Sequence, residues 1–248
     1  MFPVGLRESV RGGLLDAVAA STRLELAPDA DEADLIVVDV CSYAAMDPLV
    51  NRRALPLVVL SLLAADRGPS GSFAAEVAAR ESAVVETAER WCVLRCAAFG
   101  EELAWNTRYA MDGQLPTAWQ PEGAPWVGVA DVVELIGELA SLPDRWNAAY
   151  DVTGPATVPM REACDLLHGL YGRSLLYVRL DEDVFASSME QAGFAPVFAA
   201  RRAGYMVWTT SEQCRSVSPV LAQALGRPPT PLSDYLVRYA RYSLDAAG

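Results

Sequence analysis

The chain has 248 residues, of which 52% are apolar, 21% charged and 8% aromatic, a composition that supports a sizeable packed core and excludes a disordered or fibrous protein. Its net charge of −12 repels phosphate backbones, which excludes nucleic acid as a partner. The longest uncharged apolar run, 54–65, is shorter than the roughly 20 residues that a membrane-spanning helix needs, so no membrane association is expected, and a start without a basic-then-apolar leader points to the cytoplasm.

In chain order, the segment 9–20 places Val10, Leu14, Leu15 and Val18 on one helical stripe, and Arg23 to Leu26 reads as a short extended piece. Asp34 to Cys41, DLIVVDVC, is a β-branched run of the kind a parallel strand shows when helices cover both its faces. Leu57 to Leu62 is a second such strand, followed by a Gly/Pro/Ser loop at 67–72 and a helix expected from about Phe73 to Glu89. Trp91 to Arg95 is a third. Val127 to Val129 reads as a short strand, and Asp131 with Glu134 has the form of a capping box for the helix VVELIGELASL. Tyr150 to Thr153 and Leu175 to Val178 are expected as strands. Helices are expected near 159–171, 181–192, 216–226 and 231–243. Strands alternating with helices define an α/β protein with a doubly wound parallel sheet.

Several pieces recur in an order that resembles the NmrA-like group of atypical short-chain dehydrogenase/reductases, over roughly three quarters of the chain from Leu57 to Ser243: LVVLS, ETAERWCVLR, AAFGEELAWN, APWVGVADVVELIGELA, YDVTGPATVPMREACDLL and LGRPPTPLSDYL. The resemblance implies a truncated Rossmann-like core over 1–126, with a later strand and helix at about 127–153 returning to it, and a small, mostly helical α/β substrate lobe over 154–248. It also implies a nicotinamide dinucleotide on a GxxGxxG loop, and here the sequence departs. The corresponding run is Gly5-Leu6-Arg7-Glu8-Ser9-Val10-Arg11, which keeps one glycine of three and places the Glu8 carboxylate where a helix amino-terminus would face a diphosphate. The stretch between Val18 and Asp34 is too short for the usual second strand, helix and third strand. The lysine that the family often carries four residues before its helix glutamate falls, counting back from Glu81, on Val77.

All twenty basic residues are arginine, which removes every mechanism that needs an ammonium group, Schiff bases and the tyrosine-plus-lysine pair of ordinary short-chain reductases included. The five cysteines, at 41, 92, 96, 164 and 214, lack paired spacing, and His168 is the single histidine, so neither a disulfide framework nor a metal site is expected. His168 reads as a helix-surface or packing residue.

Open α/β sheets bind ligands at the carboxyl ends of their strands. That rule selects Tyr43 as a proton donor to a substrate oxygen, Ser61 as a carbonyl-binding hydroxyl by the family resemblance, and Glu102 as a general base if burial raises its pKa. Adjacent Glu101 diverges from Glu102 by about 100° on a helix. Cys41, Ser42, Cys96, Phe99, Trp105 and Asn106 are the expected lining, with Tyr205, Met206 and Trp208 closing over an apolar or aromatic small molecule. Arg95 is expected to brace the interdomain turn.

The leading reading is a cofactor-independent enzyme performing a non-redox step, such as cyclisation, dehydration or isomerisation, on that molecule. An NAD(P)H-dependent reductase with an unusual loop, and a non-catalytic sensor or accessory protein, are the alternatives. The lysine-free, alanine-rich composition associates with GC-rich bacterial genomes and, through them, with natural-product biosynthesis. Self-association is left open, since no exposed apolar stripe demands it.

Overall fold

The computed structural model describes residues 8–27, 32–41, 55–107, 110–172 and 175–237. The elements run α1 (Glu8–Ala19), β1 (Ile36–Asp39), β2 (Leu57–Leu62), α2 (Phe73–Val85), β3 (Trp91–Cys96), α3 (Gly100–Asn106), β4 (Gln114–Thr117), α4 (Val129–Ala140), β5 (Ala148–Val152), α5 (Met160–Tyr171), β6 (Leu176–Arg179), α6 (Glu182–Gln191), α7 (Pro196–Thr209) and α8 (Val220–Leu225). A further helical stretch occupies 232–237.

Four strands form one parallel sheet in the order β1-β2-β3-β5. Leu57 pairs with Trp91, Leu60 with Leu94, and Leu94 with Tyr150. The central strand LVVLSL is buried at all six positions, the consequence of helices on both faces. On one side α2 lies on β2 and meets α7; elsewhere α1 packs on α3 and α4, and α8 on α4 and β5. This is the Rossmann-like, doubly wound α/β architecture read from the sequence. Among the described residues no strand stands between α1 and β1.

Local chemistry sets the element ends. The Ser72 hydroxyl accepts from the Ala75 amide at 3.2 Å and starts α2. That helix stops at Val85, four residues short of the expected end, where the Thr87 hydroxyl donates to the Val84 carbonyl at 2.7 Å and the chain turns toward β3. Gly172, at φ 64°, closes α5 in a left-handed turn, leaving His168 exposed on that helix.

Three expectations are corrected. Val127 to Val129 is not a strand: Val127 makes one bridge to Phe99, and α4 already begins at Val129. Asp131 is not the cap of α4; it lies inside the first turn, where its carboxylate accepts from the Thr230 amide at 2.6 Å, the Thr230 hydroxyl at 2.9 Å and Arg227 at 2.9 Å. The amide at the start of α4 is taken instead by Glu101, whose Oε1 accepts from Val129 N at 2.8 Å. Arg23 to Leu26 forms no strand. It crosses α4, with Arg23 paired to Glu138 at 2.8 Å.

A second sheet has two parallel strands, β4 and β6, with Leu115 opposite Tyr177. Pro116 sits in β4, which a two-stranded sheet tolerates because half of each strand's backbone groups face away from the partner. Next to this sheet, Trp119 and Trp126 pack edge to face at 5.2 Å. None of the helices among the described residues is long and apolar enough to cross a membrane.

Candidate functional site

Because the main strands are parallel, their carboxyl ends share one edge. Val40 and Cys41 follow β1, Leu63 and Ala64 follow β2, and Ala97, Ala98 and Phe99 follow β3; all are buried. The chain turns sharply after β2, with Ala64 in the left-handed region at φ 55°. This edge is lined by small and apolar groups.

Tyr43 and Ser42 lie outside the described residues. Ser61 is fully buried, and its hydroxyl donates to Glu81 Oε2 at 2.6 Å. Glu81 in turn accepts from Arg95 at 2.7 Å, and the same guanidinium reaches Asp66 at 2.8 Å. The bonds to Glu81, more than those to Asp66, raise the pKa of Arg95. Arg95 therefore ties β3 to α2 and to the turn after β2, and the hydroxyl of Ser61 belongs to that network.

Glu102 is buried completely, and its partner is Arg202 from α7, with side-chain exposures of 0% and 2%. The expected general base is thus one half of a buried ion pair between elements separated by a hundred residues. The Arg202 guanidinium carbon lies 5.5 Å from the Trp105 ring centroid and 5.8 Å from that of Tyr205. Tyr205 meets Phe73 edge to face at 6.3 Å. Asn106 donates to the Glu102 carbonyl within α3. Phe99 is the residue before α3 and is 1% exposed.

The remaining expected lining residues are also packed. The Cys41 amide donates to Asp39 Oδ1 at 3.0 Å, and Cys96 Sγ lies 3.5 Å from the Leu94 carbonyl. Met206 Sδ accepts from the Thr117 hydroxyl at 3.3 Å, while Trp208 Nε1 donates to the Leu63 carbonyl at 3.0 Å. Cys214 Sγ donates to that same carbonyl at 3.3 Å. Tyr205, Met206 and Trp208 lie on one helix, α7: Trp208 reaches the end of β2, Met206 meets Thr117 of β4, and Tyr205 faces Phe73 and Arg202. The sequence reading did not recognise α7 as a helix. Arg202 was missed with it. A signal was present: Ala199, Arg202, Ala203 and Met206 recur at helical spacing, and all are buried.

No protein-family model and no curated protein matches the sequence. The fold is found among solved structures. The chain is similar to an NADPH-dependent quinone oxidoreductase from Escherichia coli solved with NADPH, at TM-score 0.69 and 17% identity, covering 94% of this chain and 96% of that one. It is similar to a Citrobacter triphenylmethane reductase solved with NADP(H), at TM-score 0.65 and 14% identity over 96% and 98% of the two chains. An isoflavone reductase follows at TM-score 0.58 and 14% identity, over 91% and 78%. The Rossmann-like fold that the sequence resemblance implied is the fold that these structures share with this chain.

That likeness overturns the expectation of no cofactor, because two of these similar folds, matched along nearly their whole length, hold NADPH or NADP(H). The expectation rested chiefly on the run Gly5 to Arg11, of which Gly5 to Arg7 lie outside the described residues. At the ends of β1, β2 and β3 the buried side chains are mostly apolar, the surroundings a nicotinamide ring needs, with the Arg80 guanidinium reaching the Val40 carbonyl at 3.4 Å beside them.

Proposed function

We propose that the chain is an NAD(P)H-dependent reductase acting on an apolar or aromatic small molecule. The observation that carries this reading is the edge formed by β1, β2 and β3, whose buried side chains are mostly apolar and over which Trp208 bonds to the Leu63 carbonyl, on a fold shared with reductases of quinones, triphenylmethane dyes and isoflavones. The cofactor, when bound, supplies a hydride. The chain supplies the surroundings: Cys41, Leu63, Ala98 and Phe99 form a water-poor floor, and α7 covers it. Glu102 and Arg202 neutralise each other in the wall, so no unbalanced charge from that pair faces the floor. Tyr43 remains the candidate proton donor to the substrate oxygen. The reductases named above favour this reading over the cofactor-independent step expected from the loop.

The reading is tested by calorimetric titration of the purified protein with NADPH and with NADH, followed by oxidation of the bound nucleotide by a naphthoquinone. Saturable binding and quinone-dependent loss of the reduced nicotinamide absorbance are expected. No binding of either nucleotide refutes the proposal, and binding without turnover of any aromatic acceptor favours a sensor.

A further inference from the structure

The end of the described chain, 226–237, lies back across the amino-terminal ends of α3 and α4, and one side chain is seated there in a socket. The ring of Tyr235 occupies a slot between two glycines: a Cβ on Gly100 would stand 2.9 Å from its Cδ1, and a Cβ on Gly128 would stand 3.0 Å from its Cδ2. Leu232 and Leu236 are buried beside it. At the bottom of the slot the phenol shares a hydrogen bond with Glu101, a carboxyl that is 1% exposed and already accepts from the first amide of α4. Helix α1 closes the other side, where a Cβ on Gly13 would lie 3.5 Å from Glu101 Oε1.

The described charged groups on the surrounding elements are committed or remote. Glu102, the neighbour on α3, is paired with Arg202. Asp131 on α4 is held by Arg227 and Thr230. Asp16 on α1 and Asp234 beside Tyr235 are exposed. Among the described residues, the stabilisation that the site offers the Glu101 carboxylate is hydrogen bonding.

We propose that 226–237 is a pH-sensitive strap over the α3 end of the site, whose release is coupled to ionisation of Glu101. With the strap seated, the carboxyl is neutral and dry; with the strap released, it is solvated and gives up its proton. Burial pushes the seated group up to about 8 from an ordinary 4.5, against the opposing pull of Tyr235 and the Val129 amide. Between those values the seated state keeps a proton that the released state has lost. Each pH unit therefore makes release about tenfold easier from roughly pH 4.5 upward, and the effect levels off above about pH 8. Gly100 follows Phe99 directly, which places the seated strap beside the end of β3.

The test is hydrogen–deuterium exchange on the full chain from pH 5 to 9, with rates in the segment 230–237 normalised to those of an unstructured peptide. Protection is expected to fall about tenfold per pH unit up to about pH 8 and then to level. Glu101→Gln, which keeps the size and the acceptor oxygen, is expected to hold protection constant across the range. A flat profile in the unmodified protein overturns the proposal, as does an undiminished slope in E101Q.

Discussion

Replacing Arg202 by methionine leaves the Glu102 carboxylate in a site where its own side chain is 0% and its lost partner's was 2% exposed. Nothing in that geometry lets bulk water replace the guanidinium, which was enclosed by the Trp105 and Tyr205 rings. Removing one member of a buried ion pair costs about 3–5 kcal/mol, chiefly because a charge stays behind without compensation. For a chain of this size, each kcal/mol lowers Tm by about 2–4 °C, so R202M is expected to melt on the order of 10 °C early. Glu102→Leu strands the guanidinium in the same way and should cost a similar amount. The informative variant is the double one. E102L together with R202M removes both charges, and the dry pocket then holds two apolar side chains of fitting size, so the double variant should be clearly more stable than the sum of the single losses predicts. Urea unfolding at constant pH and ionic strength measures all three. A single substitution that costs less than about 1 kcal/mol, the value of an exposed pair, refutes the reasoning, and so does a double variant whose loss equals the sum.

Other consequences follow from the same packing. Trp208→Phe removes the indole donor to the Leu63 carbonyl while keeping a ring over β2, and should cost about 1 kcal/mol, read as a small drop in the urea midpoint with an unchanged m-value. Gly123 sits at φ +71° with the Val158 carbonyl 1.9 Å from where a Cβ would be, so G123A should be found in the insoluble fraction on expression. Gly169 lies inside α5 with open space around it, and G169A should instead stabilise the protein by about 0.5–1 kcal/mol, measured as a raised Tm. Burial pushes the thiols of Cys92 and Cys214 up to about 12 and that of Cys164 up to about 11. These three should resist iodoacetamide in the folded protein through pH 9, because almost none is thiolate, and react once urea unfolds the chain. Labelling of Cys92 in the native state, seen by mass spectrometry, contradicts that account.

The sheet was legible because a strand covered on both faces must be apolar at every position, and LVVLSL announces itself without any neighbour. The α/β class and the resemblance followed from runs of this kind placed in order; the start of α2 at Phe73 and the end of α5 at Tyr171 were legible too. Other elements were hidden for identifiable reasons. α3 is seven residues long, too short for periodicity to declare itself, and β4 carries a proline that demotes a strand. α7 contains Gly204, which reads as a helix breaker. The structure gives its reason: a Cβ there would stand 2.9 Å from the Cβ of Phe73 on α2.

The strand ends could be listed from the sequence, but their chemistry could not. Ser61 looks like a hydroxyl waiting for a carbonyl until Glu81, twenty residues on, is seen to take it. Glu102 looks like a base until α7 brings Arg202 against it. Asp131 looks like a cap until the turn at 227–230 closes on its carboxylate. A run of buried residues is determined locally, since each must leave water wherever the strand is placed. The state of a buried polar group depends on which remote side chain shares its low-dielectric surroundings, and only the folded chain decides that.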